Sequence, residues 1–173
     1  ITHAAKKLKK YIDSLGIKHD DVVVSTFDCD TRPSSQYFAC LTYKYVTNPN
    51  RTRKSFQPIP VYANNLWEVP LINRLVAYGS TFWQMIESTR PWHMINFSSQ
   101  AMSLQTLIDI DWWDVGIVSE DSKQYYSVRI ARSNVHASVP IFTPVYMDAM
   151  QGKTLWEALK NQYLQKRRWA WGV

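Results

Sequence analysis

At 173 residues the chain is long enough for one domain with a core of its own and too short for two. Apolar residues make up 46% and charged residues 20%, a globular balance that excludes a disordered or low-complexity chain. The formal net charge of +6 favours anionic partners, but Lys and Arg are scattered rather than striped, which argues against nucleic acid.

Ala4, Ala5, Leu8, Tyr11, Ile12 and Leu15 recur at helical spacing, with Gly16 as the stop. Val22 to Phe27 is a β-branched run that reads as a buried strand. It leads into Asp28-Cys29-Asp30 and a turn at Thr31-Arg32-Pro33. A second helix is expected from Ser35 to Tyr45, with Tyr37, Phe38, Leu41 and Tyr45 inward. Asn48 to Lys54 is a polar, basic loop, and Ser55 to Tyr62 reads as an extended segment that Pro58 and Pro60 confine to a sheet edge.

Leu66 to Ile86 has helical spacing, interrupted at Pro70 and Gly79. Trp92 to Phe97 reads as a strand, and Ser99 as the cap of a helix through Met102, Leu104 and Leu107. Val115 to Val118 is a short apolar strand running into Ser119-Glu120-Asp121 and a helix through Tyr125 to Ile130. Val135 to Phe142 is a further strand. Thr154-Leu155-Trp156-Glu157 is a capping box that opens a last helix to about Trp169. Strands alternating with helices predict an α/β layer with a largely parallel sheet, whose ligands sit beyond the strands' carboxyl ends. Asp28 and Asp30 fall at such an end.

No stretch reaches the length of a membrane span, and the N-terminus carries no apolar signal segment. The chain opens on Ile1, directly in an amphipathic helix, and so reads as an excised piece of a longer protein. Cys29 and Cys40 show neither metal-ligand spacing nor a disulfide framework, which fits a reducing cytosol. The eight Trp and ten Tyr suit sugar rings, nucleobases or a membrane interface, although core packing is the expectation for most of them, Trp112 and Trp113 included. His3, His19, His93 and His136 read as ordinary surface or core histidines.

Three short motifs carry chemistry. Side chains alternate along a strand, so Asp28 and Asp30 point one way and Cys29 the other. Two adjacent carboxylates suit a hard divalent cation, Mg²⁺ or Mn²⁺; a strand-terminal turn stabilised by local amide bonds explains them as well. A carboxylate of Ser119-Glu120-Asp121 suits a general base, or else the three form a helix cap and acidic first turn. Gln165, Arg168 and Trp169 share one helix face, an amide and guanidinium fork for a diphosphate beside an indole for a sugar. The alternative is a basic, aromatic helix end resting on a protein or membrane surface.

In this order, Asp-x-Asp, Glu-Asp and Gln-x-x-Arg-Trp resemble the signature of glycosyltransferase family two, the inverting enzymes that include cellulose, chitin and hyaluronan synthases. Val22 to Pro33 is similar to that family's metal-binding strand and turn, Ala4 to Leu15 to the helix before it, and the likeness spans essentially the whole chain. It implies a GT-A-like (Rossmann-like), mixed but mainly parallel sheet flanked by helices, lacking the family's first strands. Residues 1–173 would form a single partial catalytic domain. Asp28 and Asp30 would hold Mg²⁺ or Mn²⁺, with Asp30 the direct ligand. Asp28, Gln165 and Arg168 would bind the donor diphosphate, Asp121 would act as the base, and Trp169 would border the acceptor. The implied partners are a nucleotide diphosphate sugar, a UDP-sugar by preference, and a glycan or lipid-linked acceptor.

The resemblance further implies a membrane-embedded parent with this domain on the cytoplasmic face. The fragment itself is expected to be soluble, catalytically inert, a weak metal and nucleotide binder, and prone to self-association through an unpaired sheet edge. Cys29 stands where Ala is frequent, Ser119 where Thr is, and Phe97-Ser98-Ser99 where relatives often carry Gly. Two rivals remain. A haloacid-dehalogenase-type phosphatase would use Asp28 as nucleophile within Phe27 to Thr31. A non-catalytic module would dock on a membrane through Trp156, Trp169 and Trp171 beside Lys160, Lys166, Arg167 and Arg168.

Overall fold

The computed structural model describes residues 1–114, 116–117, 119–131 and 137–171. Helix α1 (Thr2–Ser14) buries Ala5 and Ile12, the inward members of its apolar stripe. Gly16 ends it as expected, at φ 67°. Its N–H bonds the Asp13 carbonyl at 3.1 Å and Ile17 N–H bonds that of Ile12 at 3.3 Å, the paired bonds of a Schellman stop.

Five strands follow: β1 (Val23–Ser25), β2 (Arg32–Pro33), β3 (Lys54–Tyr62), β4 (Ala101–Ser103) and β5 (Ala137–Met147). They form one sheet in the order β1-β4-β3-β5-β2. Only β3 and β5 pair in parallel; β1–β4, β4–β3 and β5–β2 are antiparallel. The α/β class stands, but the sheet is mixed rather than mainly parallel. The reason lies in β2 and β4, two and three residues long, which carry no alternation of their own. The strands whose pattern is readable (β1, β3 and β5) all run in the same direction.

Several elements depart from the sequence expectation. β1 is shorter than Val22–Phe27 and only half-buried, because it lies at the sheet edge with a partner on one side. Arg32–Pro33 pairs with Tyr146 and Val145 instead of forming a free turn. β3, expected at an edge, is the central strand. It tolerates Pro58 and Pro60 because β4 pairs with it only at Ser55 and Phe56, so beyond Phe56 one side of β3 has no ladder to lose.

The segment 92–97 is a turn and irregular chain, not a strand, and the strand comes later as β4. Ser103, not Ser99, caps the following helix α4 (Leu104–Asp109), accepting from Gln105 N–H at 3.3 Å. The strand expected from Val115 to Val118 and the start of the one from Val135 fall partly outside the described residues.

Helix α2 (Tyr37–Thr47) turns Tyr37, Leu41 and Tyr45 inward, whereas Phe38 is 57% exposed and meets the rings of Phe27 and Tyr37 edge-on. Helix α3 (Leu71–Ser88) starts directly after Pro70, where a missing N–H costs nothing, and passes through Gly79 without a break. Helices α5 (Glu120–Ala131) and α6 (Leu155–Trp171) complete the chain. Thr154 Oγ1 accepts from Glu157 N–H at 3.2 Å as a capping box requires, but the Glu157 carboxylate reaches the N–H of Lys153 at 2.9 Å rather than that of Thr154.

The core has three parts. Ala5, Ile12, Met102, Leu104, Leu107 and Val128 close around Trp112 and Trp113, which are packing residues as expected. Tyr37, Leu41 and Tyr45 of α2 cover Phe56, Ala101, Ile141 and Val145 of the sheet. Tyr62, Leu66, Val69, Ala77, Met147 and Ala149 seal α3 to the ends of β3 and β5. No described helix is long and apolar enough to cross a membrane.

Two glycines should respond with opposite signs. A Cβ at Gly152 would lie 2.4 Å from Ala158 N and 2.8 Å from Glu157 C, both backbone atoms of α6, so Gly152→Ala must push the helix away. Nothing lies within 4 Å of a Cβ at Gly79, inside α3. Urea unfolding should show Gly152→Ala destabilised by about 1–3 kcal/mol and Gly79→Ala stabilised by about 0.5–1 kcal/mol.

Candidate active-site cleft

Because β1, β3 and β5 run the same way, their carboxyl ends share one edge of the sheet. Asp28 comes three residues after β1, Tyr62 is the last residue of β3, and Asp148 is the first after β5. β4 runs the other way, so it begins at that edge, and the residues leading into it lie across the strand ends. Thr26 N–H to the Gln100 carbonyl, at 3.0 Å, extends the β1–β4 ladder by one step.

Three of four consecutive residues in this approach each meet a different sequence motif, and the fourth meets the turn after Asp30. The Phe97 ring lies edge-on to Trp169, centroids 6.1 Å apart. Ser98 Oγ–H donates to Asp28 Oδ2 at 2.6 Å. Ser99, held at φ 67°, shares a 3.0 Å hydrogen bond with the Thr31 hydroxyl. Gln100 Nε2–H donates to Asp121 Oδ1 at 3.1 Å and to Gln124 Oε1 at 2.8 Å.

The segment is itself held by buried amides. Phe97 N–H donates to Gln57 Oε1 at 2.8 Å, and Gln57 Nε2–H donates to the Ser98 carbonyl at 3.1 Å. Asn96 Nδ2–H donates to Gln100 Oε1, and Asn96 Oδ1 accepts from Ser55 and Ser138, each at 2.6 Å. A continuous chain of polar groups therefore runs from β3 and β5 beneath the sheet edge to Asp121.

The electrostatics of the cleft are unbalanced. Among the described residues, Asp28, Asp30, Glu120 and Asp121 form no ion pair. Burial, then the neighbouring Glu120, push the Asp121 carboxyl up to about 7; the Gln100 amide pulls the other way and Asp28 adds to the rise. Tyr62 is buried and its hydroxyl has no hydrogen-bond partner among the described residues. Burial, with Asp28 and Asp30 nearby, holds that phenol well above the usual range.

Opposite this acidic wall, Tyr62, Ser80 and Asp148 line a narrow hollow with Gln165, Lys166 and Trp169. Lys166 Nζ–H donates to Ser80 Oγ at 3.0 Å and sits 4.5 Å from the centre of the Trp169 ring. Burial pulls its ammonium below the usual lysine range.

Of the residues singled out by sequence, Asp28, Asp30 and Asp121 lie at this edge, and Gln165 and Trp169 at the opposing hollow. Asp30 Oδ2 accepts from Asp148 N–H at 3.2 Å, and its carbonyl accepts from Asn64 Nδ2–H at 3.0 Å. Arg168 is exposed and makes no ion pair or hydrogen bond among the described residues. In its place the neighbouring Lys166 faces the cleft. Sequence reading missed Gln57, Tyr62, Ser98 and Gln100, and treated Lys166 only as part of a basic helix end. Single amides, hydroxyls and one lysine in a basic run carry no spacing that marks them.

A set of three or more His, Cys, Asp or Glu does not gather among the described residues. Among the described residues Asp28 and Asp30 are bonded through Oδ2 alone, and carboxylates offer the hard oxygen ligands that Mg²⁺ or Mn²⁺ prefers. Cys29 and Cys40 are free thiols. The chain matches no protein-family model, and no curated protein matches it.

Asp121 makes stability fall as pH rises. Its carboxyl is raised in the folded chain, so between about 4 and 7 the unfolded chain releases the proton first and the folded state loses ground. A carboxyl moved from 3.8 to about 7 costs on the order of 4 kcal/mol once ionised. Asp121→Asn keeps an acceptor for Gln100 and removes that cost. Thermal unfolding should show the variant more stable than the parent at alkaline pH, with the difference vanishing near the ordinary carboxylate range; equal melting at every pH would refute the raised value.

Proposed function

We propose that the chain is part of the catalytic domain of an inverting, metal-dependent glycosyltransferase that takes its sugar from a nucleotide diphosphate donor. The carrying observation is Asp121, a half-buried carboxyl aimed by Gln100 on a strand-end edge shared with Asp28 and Asp30, which burial and Glu120 push up to about 7. A general base works best when its pKa matches the working pH.

In this reading Asp121 takes the proton from an acceptor hydroxyl as that oxygen attacks the anomeric carbon. The bond from that carbon to the diphosphate oxygen breaks, its electron pair leaves with the diphosphate, and one displacement inverts the centre. Asp28 and Asp30 would hold Mg²⁺ or Mn²⁺, which would supply charge neutralisation for the leaving diphosphate. Ser98 keeps Asp28 oriented, and Asp148 N–H does the same for Asp30. Gln165, Lys166 and the Tyr62 hydroxyl, which has no partner among the described residues, offer donors to the diphosphate oxygens, while Arg168, the donor the resemblance implies, lies exposed. Trp169, fixed by Phe97 and Lys166, offers its indole to the acceptor sugar.

The phosphatase alternative has less support. It calls for a buried strand ahead of its nucleophile, whereas β1 is a half-buried edge strand, and although Glu120 and Asp121 could serve as its later acidic pair, it gives Gln165, Arg168 and Trp169 no task.

Titration calorimetry with uridine diphosphate tests the assignment on the chain as it stands. Weak binding that depends on Mn²⁺ is expected, lost in Asp28→Asn and Asp30→Asn, kept in Asp121→Asn, and weakened roughly tenfold in Lys166→Ala. Binding indifferent to Mn²⁺ and to both aspartates, or phosphatase turnover that vanishes in Asp28→Asn, would overturn it.

A further inference from the structure

A second hollow, of about 390 Å³, opens between the start of α1, the chain that follows α4 and one face of α5. Its size is that of a small-ligand site. Glu120, Lys123, Gln124 and Ser127 of α5, at i, i+3, i+4 and i+7, share the face that lines it. Asp121 lies off that face and meets Gln100 instead. Trp112 and Trp113 contribute the wall after α4, and Thr2 Oγ1–H donates to the Trp113 carbonyl at 2.9 Å, tying α1 to that wall.

The group that needs explaining here is Gln124. It is 3% exposed, and its Oε1 accepts from Gln100, but its Nε2 has no hydrogen-bond partner among the described residues. A buried amide donor left unpaired costs free energy, and native folds carry few of them. Exchanging the oxygen and nitrogen of this amide would set two donors against each other at Gln100, so a flip does not remove the orphan. Around it, the carboxylates of Asp111 and Glu120 form no ion pair among the described residues, whereas Asp114 already holds Lys123.

These groups narrow the ligand. Gln124 needs an oxygen that accepts, Asp111 and Glu120 need hydrogens that are donated, and the indoles need an apolar face. Three carboxylates against two ammoniums, one of them already paired, disfavour an anion. Hydroxyls that both donate and accept, set around a ring with an apolar side, are the chemistry of a neutral sugar. We propose that this hollow is a binding site for a neutral saccharide, separate from the strand-end cleft. It stands independently of the transferase reading, and Asp28, Asp30, Asp121, Gln165, Lys166 and Trp169 line no part of it. A sugar hydroxyl at Gln124 takes up the orphan N–H while Oε1 keeps its bond to Gln100, the amide that also donates to Asp121. Occupancy therefore stiffens the relay that aims Asp121.

Titration calorimetry of the whole chain with glucose, galactose, mannose, N-acetylglucosamine and lactose, without nucleotide or metal, tests this directly. At least one of these sugars should bind, with the same affinity after chelation of divalent cations and in Asp28→Asn. Gln124→Leu keeps the bulk of the side chain and removes the orphan donor, and it should weaken binding roughly tenfold. Asp111→Asn changes an exposed residue to one that tolerates the same left-handed φ of 55°, and it should weaken binding several-fold. Unfolding curves check that both variants keep the fold. Absence of binding by every sugar, binding that depends on Mn²⁺ or on Asp28, or equal binding by both variants overturns the proposal. Displacement of the sugar by inorganic phosphate assigns the hollow to an anion and overturns it too.

Discussion

Once β4 stops at Ala101, the backbone of Phe97 and Ser98 has no strand to pair with, although it lies over the sheet where water is scarce. Unpaired backbone groups there would cost as much as lost hydrogen bonds. The Gln57 amide makes good the deficit, accepting from Phe97 N–H and donating to the Ser98 carbonyl, so one side chain replaces a rung of the ladder. The placement of Asp28 and Asp121 follows from that substitution. Ser98 fixes Asp28, Ser99 fixes Thr31, and Gln100 fixes Asp121, because the backbone carrying them is pinned. The Asn96 amide continues the same logic downward to Ser55 and Ser138. Buried polar networks of this kind are rigid when their members are satisfied, which is what a group aimed at a reacting atom requires.

The same edge shows where stability is surrendered. A chain folding for stability alone would not gather Asp28, Asp30, Glu120 and Asp121 without a cation, nor leave Tyr62 with an orphan hydroxyl among them. It would not sink Lys166 against an indole with a single serine for company. Each arrangement is unfavourable alone, and each becomes favourable if a diphosphate and its cation lie between the two walls. Local conflicts of this kind are expected at working sites, with the rest of the fold compensating.

How much of this could be read from residues alone depended on whether the physics was local. The Gly16 stop, the last-helix cap and the pattern of Tyr37, Leu41 and Tyr45 are set by neighbours a few positions away, and they were legible. β2 and β4 are too short for a period, so the direction of the sheet was not. Pro58 and Pro60 misled because the rule against central proline assumes a partner on both sides, and β3 lacks one beyond Phe56. Trp92 to Phe97 reads like a strand, yet the N–H groups of His93 and Met94 turn back to the Arg90 carbonyl and that of Phe97 goes to the Gln57 side chain. Asp28, Asp30 and Asp121 stood out through the joint order of three motifs, since carboxylates at a strand-end turn or in a helix's first turn are common for structural reasons alone. Gln57, Gln100 and Tyr62 matter only through contacts made across dozens of residues, and nothing around them in sequence says so.

Helix α3 buries Asn73, Thr81, Glu87 and Ser88 and leaves Leu75, Phe82 and Trp83 exposed, an inversion that follows from the same accounting of polar groups. Apart from Ala77, which joins the apolar cluster over β3 and β5, its inner face meets chain ends. Thr81 Oγ1 accepts from Tyr62 N–H, the last donor of β3, at 3.3 Å. Asn73 Nδ2–H donates to the carbonyls of Met150 and Ala158, at 3.1 and 3.3 Å, tying down the approach to α6 and its first turn. Ser80 receives Lys166. A helix that must satisfy a strand end, a loop and a second helix spends its inner positions on Asn, Ser and Thr, so the apolar residues left to it must lie outward. In water that arrangement wastes hydrophobic area, since exposed Leu and Phe gain nothing from folding. What holds α3 in place is therefore its polar inner face, and that face also ties the end of β3 and Lys166 to the cleft.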